Sequence, residues 1–286
     1  MRYEYKIKPS GDTVKILMTG NRGVAVGMML CALSVSAVSK RRVRLYIGTM
    51  DLSFLDERYK PVTESDRALI EEALKRGNPE STAEILDFGD MFREELIDSK
   101  NMQSSYTPYA MLRLFADRSS ELCGKILYLD TDVMLLGDIG ELYDIDIEGY
   151  EMAGALDYFG RFFINPRYMN SGVLLWNMTE LRKSGALKRA RDMCRDKKML
   201  LMDQSALNKC VGRKLYLPRR YNEQHDMLPD TYIRHFTMTI KWLPYFHTET
   251  VKPWQFELVH EKLGITRFDQ IFEDYISLTS KKEITK

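Results

Sequence analysis

The sequence predicts an α/β fold in which a mostly parallel sheet carries helices on its faces. Two patterns point to it. Short apolar runs of strand length alternate with helix-length periodic stretches through the first half of the chain. No internal repeat, low-complexity tract or linker interrupts the 286 residues, of which 44% are apolar and 29% charged, a balance suited to one compact unit.

In order, Val14-Lys15-Ile16-Leu17-Met18 is the first strand, Val24–Ser39 a helix, Val43-Arg44-Leu45-Tyr46-Ile47 the second strand and Glu64–Arg76 the second helix. Ala83-Glu84-Ile85-Leu86-Asp87-Phe88 is the third strand. A helix over Tyr106–Asp117 leads into the most apolar strand, Lys125-Ile126-Leu127-Tyr128-Leu129. The second half is less regular. It contains a strand at Gly172–Trp176, a helix at Thr179–Arg195, a short helix starting near Asp203 and a strand at Tyr232–Phe236. Helices near Trp254–Leu263 and Phe268–Ser277 close the chain.

Composition excludes some functions. Net charge is +1, from 42 basic and 41 acidic residues, so bulk electrostatic binding to nucleic acid is not expected. Cys31, Cys123, Cys194 and Cys210 form no CxxC pair and read as buried free thiols of a reducing compartment. Residues Met1–Pro9 are charged and lack the apolar region of a signal peptide. The apolar run Val24–Val38 is 15 residues long and contains Ser34 and Ser36, short of the roughly 20 needed to span hydrocarbon. A cytoplasmic protein without a transmembrane segment is expected, with room for peripheral contact at the inner face of a membrane.

Ligands of open α/β sheets bind beyond the carboxyl ends of the strands, which directs attention to the residues just after Leu129. There, Asp130-Thr131-Asp132 places two carboxylates on one face of an extended segment. Like charges that close are unfavourable without a cation between them, and Mg²⁺ or Mn²⁺ completed by substrate phosphates is a common solution. The plain alternative is a pair of turn or cap residues at a strand end. Arg113 offers a fork of donors for phosphate or sugar hydroxyls, or it is an ordinary helix-pair arginine. Asp157 and the Asn170-Ser171-Gly172 stretch read equally as turn residues, and Asp203 as a helix N-cap.

Seven motifs in fixed order give these residues a shared context. They are Ile16-Leu17-Met18-Thr19-Gly20-Asn21, Leu112-Arg113-Leu114, Leu129-Asp130-Thr131-Asp132, Gly154-Ala155-Leu156-Asp157, Asn170-Ser171-Gly172-Val173-Leu174, Asp203-Gln204-Ser205-Ala206-Leu207-Asn208, and a histidine followed by Lys252-Pro253-Trp254. In this respect the sequence resembles glycosyltransferase family 8, retaining enzymes of the GT-A fold that use UDP-sugars. The resemblance runs from Lys15 to about Trp254. It implies a mixed, mostly parallel sheet flanked by helices: a Rossmann-like nucleotide-binding half (about 14–136), a donor-sugar and acceptor half (about 137–254) and C-terminal helices (about 255–286), all in one domain.

The resemblance also implies roles. Asp130 and Asp132 would hold Mn²⁺ or Mg²⁺ against the diphosphate of a UDP-hexose, UDP-glucose or UDP-galactose. Lys252 would contact the diphosphate, Asp157 the sugar hydroxyls, and the Gln204 amide would lie beside the reacting carbon. Thr19, Asn21, Arg113, Thr131, Asn170, Ser171 and Asp203 complete the implied donor site. Family members usually carry an acidic residue where Asn21 stands, and an amide can also pair with the uracil edge. The implied acceptor is a glycan or lipid-linked glycan hydroxyl. No carboxylate nucleophile stands out, which favours front-face displacement over a covalent intermediate.

Two histidines compete as third metal ligand. His235 ends an apolar strand, is followed by Phe236, and has Lys241-Trp242 at the family spacing, but lacks the family's following glycine. His247 lies nearer the actual Lys252-Pro253-Trp254. A strand end fixes a ligand better than a loop, which favours His235; Thr237–Tyr245 is then an insertion between ligand and lysine. Two other classes compete with the whole reading: a phosphohydrolase of the haloacid dehalogenase type, which also uses DxD after a strand, and a non-catalytic nucleotide-sugar-binding protein.

Overall fold

The apolar runs of the first half pair side by side in a computed structural model that describes residues 5–11, 13–102, 107–241 and 247–283. In chain order the first elements are β1 (Thr13–Thr19), α1 (Ala25–Val38), β2 (Arg42–Thr49), α2 (Glu64–Lys75), β3 (Thr82–Asp87) and α3 (Gly89–Leu96). A 3-10 helical segment, Pro108–Arg118, precedes β4 (Lys125–Leu129), β5 (Val133–Leu135) and α4 (Ile139–Tyr143). The second half holds β6 (Met152–Leu156), α5 (Gly160–Phe163), β7 (Met169–Asn177), α6 (Met178–Ser184), α7 (Ala186–Asp196), α8 (Met202–Cys210) and β8 (Lys214–Leu217). Then come β9 (Ile233–His235), β10 (Thr239–Lys241), β11 (His247–Glu249), α9 (Phe256–Leu263) and α10 (Asp269–Glu283).

Seven strands form one sheet in the order β3-β2-β1-β4-β7-β6-β8. All neighbours are parallel except at β7, which runs against β4 and β6. Alternation along the strands supplies both faces. Val14, Ile16 and Met18 of β1, with Leu127 and Leu129 of β4, join a core under α1, while Leu17, Ile126 and Tyr128 point into a second core with Phe88, Phe115 and Trp176. The apolar run of α1 is buried along nearly its whole length. One of its two serines links it to the next layer: Ser34 Oγ accepts the Leu135 N–H of β5 (3.0 Å) and donates to the Cys31 carbonyl (2.7 Å).

Several elements differ from expectation. β6 and β8 complete the sheet, two strands beyond those that the sequence pattern predicts. The expected Thr179–Arg195 helix is broken at Gly185, whose φ of 66° ends α6 in the left-handed region that glycine tolerates best. The expected helix at Tyr106–Asp117 is a 3-10 segment, and Tyr106 lies outside the described residues. Asn170 and Ser171 belong to β7 rather than to a turn, and the N-cap of α8 is Leu201, with Asp203 inside the first turn. Cys31, Cys194 and Cys210 are buried, but Cys123 is exposed. Between β9 and Lys252 the chain forms the β10–β11 hairpin, and Trp242 and Tyr245 fall outside the described residues. Among the described residues no helix is long and apolar enough to cross a membrane.

Candidate active site

The reversal at β7 builds the site. Because β4 and β7 are antiparallel, the exit of β4 lies beside the entrance of β7: Leu129 pairs with Val173, and the Asp130 N–H donates to the Gly172 carbonyl (2.8 Å). β5 then pairs with β9, setting Val133 opposite His235. Asp130, Asp132 and His235 therefore converge, with one donor atom from each within 4.8 Å of the others. His235 Nε2 is 3.2 Å from Asp132 Oδ1 and 3.7 Å from Asp130 Oδ2. His247 lies in β11, outside this cluster.

His235 and Asp130 close in over Gly172, which has no side chain to hold them off. A Cβ there would lie 2.2 Å from His235 Cε1 and 2.8 Å from Asp130 Oδ2. Two carboxylates and an imidazole gathered in this way suit a divalent cation of the Mg²⁺ or Mn²⁺ type. Asp132 Oδ2 also meets Lys252 Nζ at 2.5 Å. Burial alone would raise the Asp132 carboxyl, but the Lys252 ammonium and the His235 ring offset this and hold it well below the usual carboxylate range.

A chain of amides fixes the histidine. The backbone N–H of Gly172, which can only donate, bonds to Asn170 Oδ1 (2.9 Å), so Asn170 Nδ2 turns to Asp157 Oδ2 (2.9 Å). Asn222 Nδ2 also donates to Asn170 Oδ1 (2.8 Å), which leaves Asn222 Oδ1 facing His235 Nδ1 at 3.1 Å. The Asn222 oxygen therefore calls for a proton on Nδ1, which leaves Nε2, the nitrogen turned to the aspartates, as the one that would take a metal. Nothing in the sequence around Tyr221-Asn222-Glu223 marks Asn222. It reaches the site through the bridge between Glu223 and Arg234 of β9.

Arg113 is buried behind the carboxylates. Its Nη2 donates to Asp130 Oδ1 (2.8 Å), its Nη1 to the Ser171 carbonyl (2.7 Å) and its Nε to the Ala110 carbonyl (3.1 Å). The guanidinium stacks over Tyr128 at 4.2 Å, and the Tyr128 hydroxyl donates to Asp130 Oδ1 (2.8 Å). Every guanidinium nitrogen thus has a protein acceptor, so in this state Arg113 braces Asp130 rather than reaching out as an open fork. Asp203 lies 3.0 Å from Arg113 Nε. Burial raises the Asp203 carboxyl to about 6 and the Asp130 charge adds to this, although Arg113 opposes both.

Asp157, Asn170, Ser171 and Gln204 form the neighbouring group. Asp157 Oδ1 accepts the N–H groups of Phe159 (3.2 Å) and Gly160 (2.6 Å). Its Oδ2 accepts Asn170 Nδ2 (2.9 Å) and Gln204 Nε2 (3.1 Å). Four donors fill the lone pairs of an ionised carboxylate. Gln204 Oε1 accepts from the Ser171 N–H (2.9 Å) and hydroxyl (3.1 Å), so its amide is clamped at both ends.

At the end of β1, Thr19 Oγ1 and the Tyr128 hydroxyl are 3.1 Å apart. Asn21 Nδ2 donates to the Arg58 carbonyl (3.0 Å), which leaves Oδ1 as the acceptor it can offer a ligand. Thr131 joins this end through its backbone: a Cβ at Gly27 would lie 2.1 Å from the Thr131 carbonyl oxygen and 2.7 Å from Trp254. Gly27, hidden in an apolar helix, lets α1 hold the DxD turn and the Lys252-Pro253-Trp254 stretch together.

The fold has known counterparts. Among solved structures, the galactosyltransferase LgtC in complex with donor and acceptor sugar analogs superposes with a TM-score of 0.66 at 19% identity, covering 93% of this chain and 96% of that chain, which identifies the fold as GT-A. General stress protein A of Bacillus subtilis strain 168 is 26% identical over 212 residues, 70% of this chain and 69% of that protein. Glycosyltransferase GlyA of Streptococcus pneumoniae serotype 4 is 33% identical over 132 residues, 45% of this chain but 18% of GlyA. The family model described as Glycosyl transferase family 8 matches residues 15–257, and the phosphohydrolase alternative gives way to it. With most of its length matched in this way, the chain belongs to glycosyl transferase family 8 and is a glycosyltransferase.

Proposed function

We propose that the enzyme transfers a hexose from UDP-glucose or UDP-galactose to a hydroxyl of a glycan or lipid-linked acceptor, with retention of configuration and with a divalent cation, Mn²⁺ or Mg²⁺. The observation that carries this reading is the convergence of Asp130, Asp132 and His235, packed over Gly172, beside the clamped Asp157–Gln204 pair. When bound, the cation would neutralise the diphosphate and stabilise the charge developing on the leaving nucleotide. Asn21 supports a uracil base, since its oriented Oδ1 can accept the N3–H that uracil has and cytosine lacks. Lys252, paired with Asp132, is placed to exchange that partner for a phosphate oxygen.

The state of Asp157 supports front-face displacement. A carboxylate that accepts four hydrogen bonds is a poor nucleophile, and its hold on Gln204 keeps the amide at the reacting centre. Asp157 itself meets a sugar hydroxyl only by giving up one of its donors. In this reading the enzyme works in the cytoplasm, where its free cysteines stay reduced.

Thermal shift with UDP-glucose and UDP-galactose, each with Mn²⁺ and with EDTA, tests the proposal. A ligand at one hundred times its dissociation constant adds about 2.7 kcal/mol of stability. The expected result is a clear rise with Mn²⁺ and little with EDTA, and equal shifts in both would remove the metal requirement. NMR of the first-formed product reads the anomeric configuration; inversion would refute retention.

A further inference from the structure

The chain leaves the donor-sugar site at Asp157 and returns at Asn170, and its ends are tied. Leu156 pairs with Met169, and the Asp157 N–H donates to the Tyr168 carbonyl (2.9 Å). Between these ties, Phe162, Phe163 and Ile164 are 70%, 69% and 44% exposed. Three consecutive exposed apolar residues call for a partner. The same loop carries Arg161 and Arg167, and after Asp157 the next acidic residue is Glu180. Among the described residues no carboxylate pairs with either arginine. The Arg161 guanidinium rests over the rings of Phe162 (4.6 Å) and Tyr158 (5.3 Å), held beside the apolar tip.

We propose that this loop docks the enzyme on an anionic lipid surface. Phe162, Phe163 and Ile164 enter the headgroup boundary, and Arg161 and Arg167 meet lipid phosphates. An apolar tip flanked by cations without carboxylate partners is complementary to such a surface on both counts. A second copy of the chain fits less well, because pairing this loop with itself brings like-charged arginines together. The acceptor would then be lipid-linked, taken from the surface at the mouth of the donor site; this part rests on the proposed transferase reading, whereas the docking does not.

The test is sedimentation of the full chain with vesicles of phosphatidylglycerol mixed with phosphatidylcholine, and of phosphatidylcholine alone, without donor or metal. Binding to the anionic vesicles, weakened in about 0.5 M salt, is expected. F162S/F163S should lower it by about tenfold or more, and R161Q/R167Q by several fold, with the melting temperature unchanged. Donor binding without vesicles, read by thermal shift, should be the same in all variants; loss of that signal in the wild type would count against the transferase proposal alone. Absent vesicle binding, or equal binding by F162S/F163S, overturns the docking. So does a dimer seen by light scattering that F162S/F163S disperses, since the patch would then serve a second copy.

Discussion

Asn222→Ala separates the two halves of the site at one atom group. The substitution removes the bonds to His235 Nδ1 (3.1 Å) and Asn170 Oδ1 (2.8 Å). Asn170 Oδ1 keeps the Gly172 N–H, so the one group left orphaned is the buried His235 Nδ1–H. An unpartnered buried donor costs about 1–3 kcal/mol and the second lost bond about 1 kcal/mol, for a total of about 2–4 kcal/mol. For a chain of 286 residues that lowers the melting temperature by roughly 3–7 °C. The specific effect is on the metal: freed to rotate and to change tautomer, His235 should lose its grip, and Mn²⁺ affinity should fall about 10–100-fold. Titration calorimetry with Mn²⁺ alone reads this without any turnover. Asn222→Asp is the control, since its carboxylate still accepts from Nδ1 but sets two oxygens against each other at the Asn170 contact. It should keep more of the metal affinity than the alanine variant. Unchanged Mn²⁺ affinity in a destabilised Asn222→Ala protein would refute the argument and leave Asn222 a packing residue.

Gly172→Ala puts a methyl group 2.2 Å from His235 Cε1 and 2.8 Å from Asp130 Oδ2, so both must move and Mn²⁺ binding by calorimetry should be lost; retained binding would show that these two residues do not hold the metal. His235→Ala should weaken Mn²⁺-dependent UDP binding while His247→Ala leaves it largely intact, and the reverse pattern would transfer the ligand role to the β10–β11 hairpin. Gln204→Ala should lower UDP release far more than donor affinity, because the contact strengthens in the transition state; unchanged turnover would leave Gln204 a clamp on β7 only. With a folded value of about 6 against an ordinary 3.8, Asp203 binds its proton more tightly folded than unfolded. Its contribution is therefore present below about pH 4 and lost as pH rises to about 6, by at most about 3 kcal/mol. Urea midpoints across that window should show this fall in the wild type and not in Asp203→Asn; parallel curves would refute it.

The legibility of each element in the sequence depends on the reach of its physical signal. β1, β2 and β4 are legible because branched and aromatic residues run together between polar turns. β6 is not, because Met152-Ala153-Gly154-Ala155-Leu156 has little strand propensity of its own and becomes a strand only between β7 and β8. The break at Gly185 is a local signal that the helical periodicity around it masks. The carboxylates and Gln204 lie in motifs whose order survives in one dimension. The choice between His235 and His247 does not, since it depends on the register that sets Val133 opposite His235. Asn222 and Gly27 act only through contacts made after folding, with residues far off in the chain, and no local pattern announces them.

The tied loop between β6 and β7 has a consequence for how such enzymes diversify. Its two anchors, Asp157 and Asn170, are held by the strand ladder and by the Asp157–Tyr168 bond, and their orientation depends on Gln204, Asn222, Gly172 and the Phe159 and Gly160 N–H groups at the base of the loop, not on the side chains of its tip. The tip is thus an interchangeable cassette. The side chains at its tip can change from one chain to another while Asp157 and Asn170 stay in register beneath it.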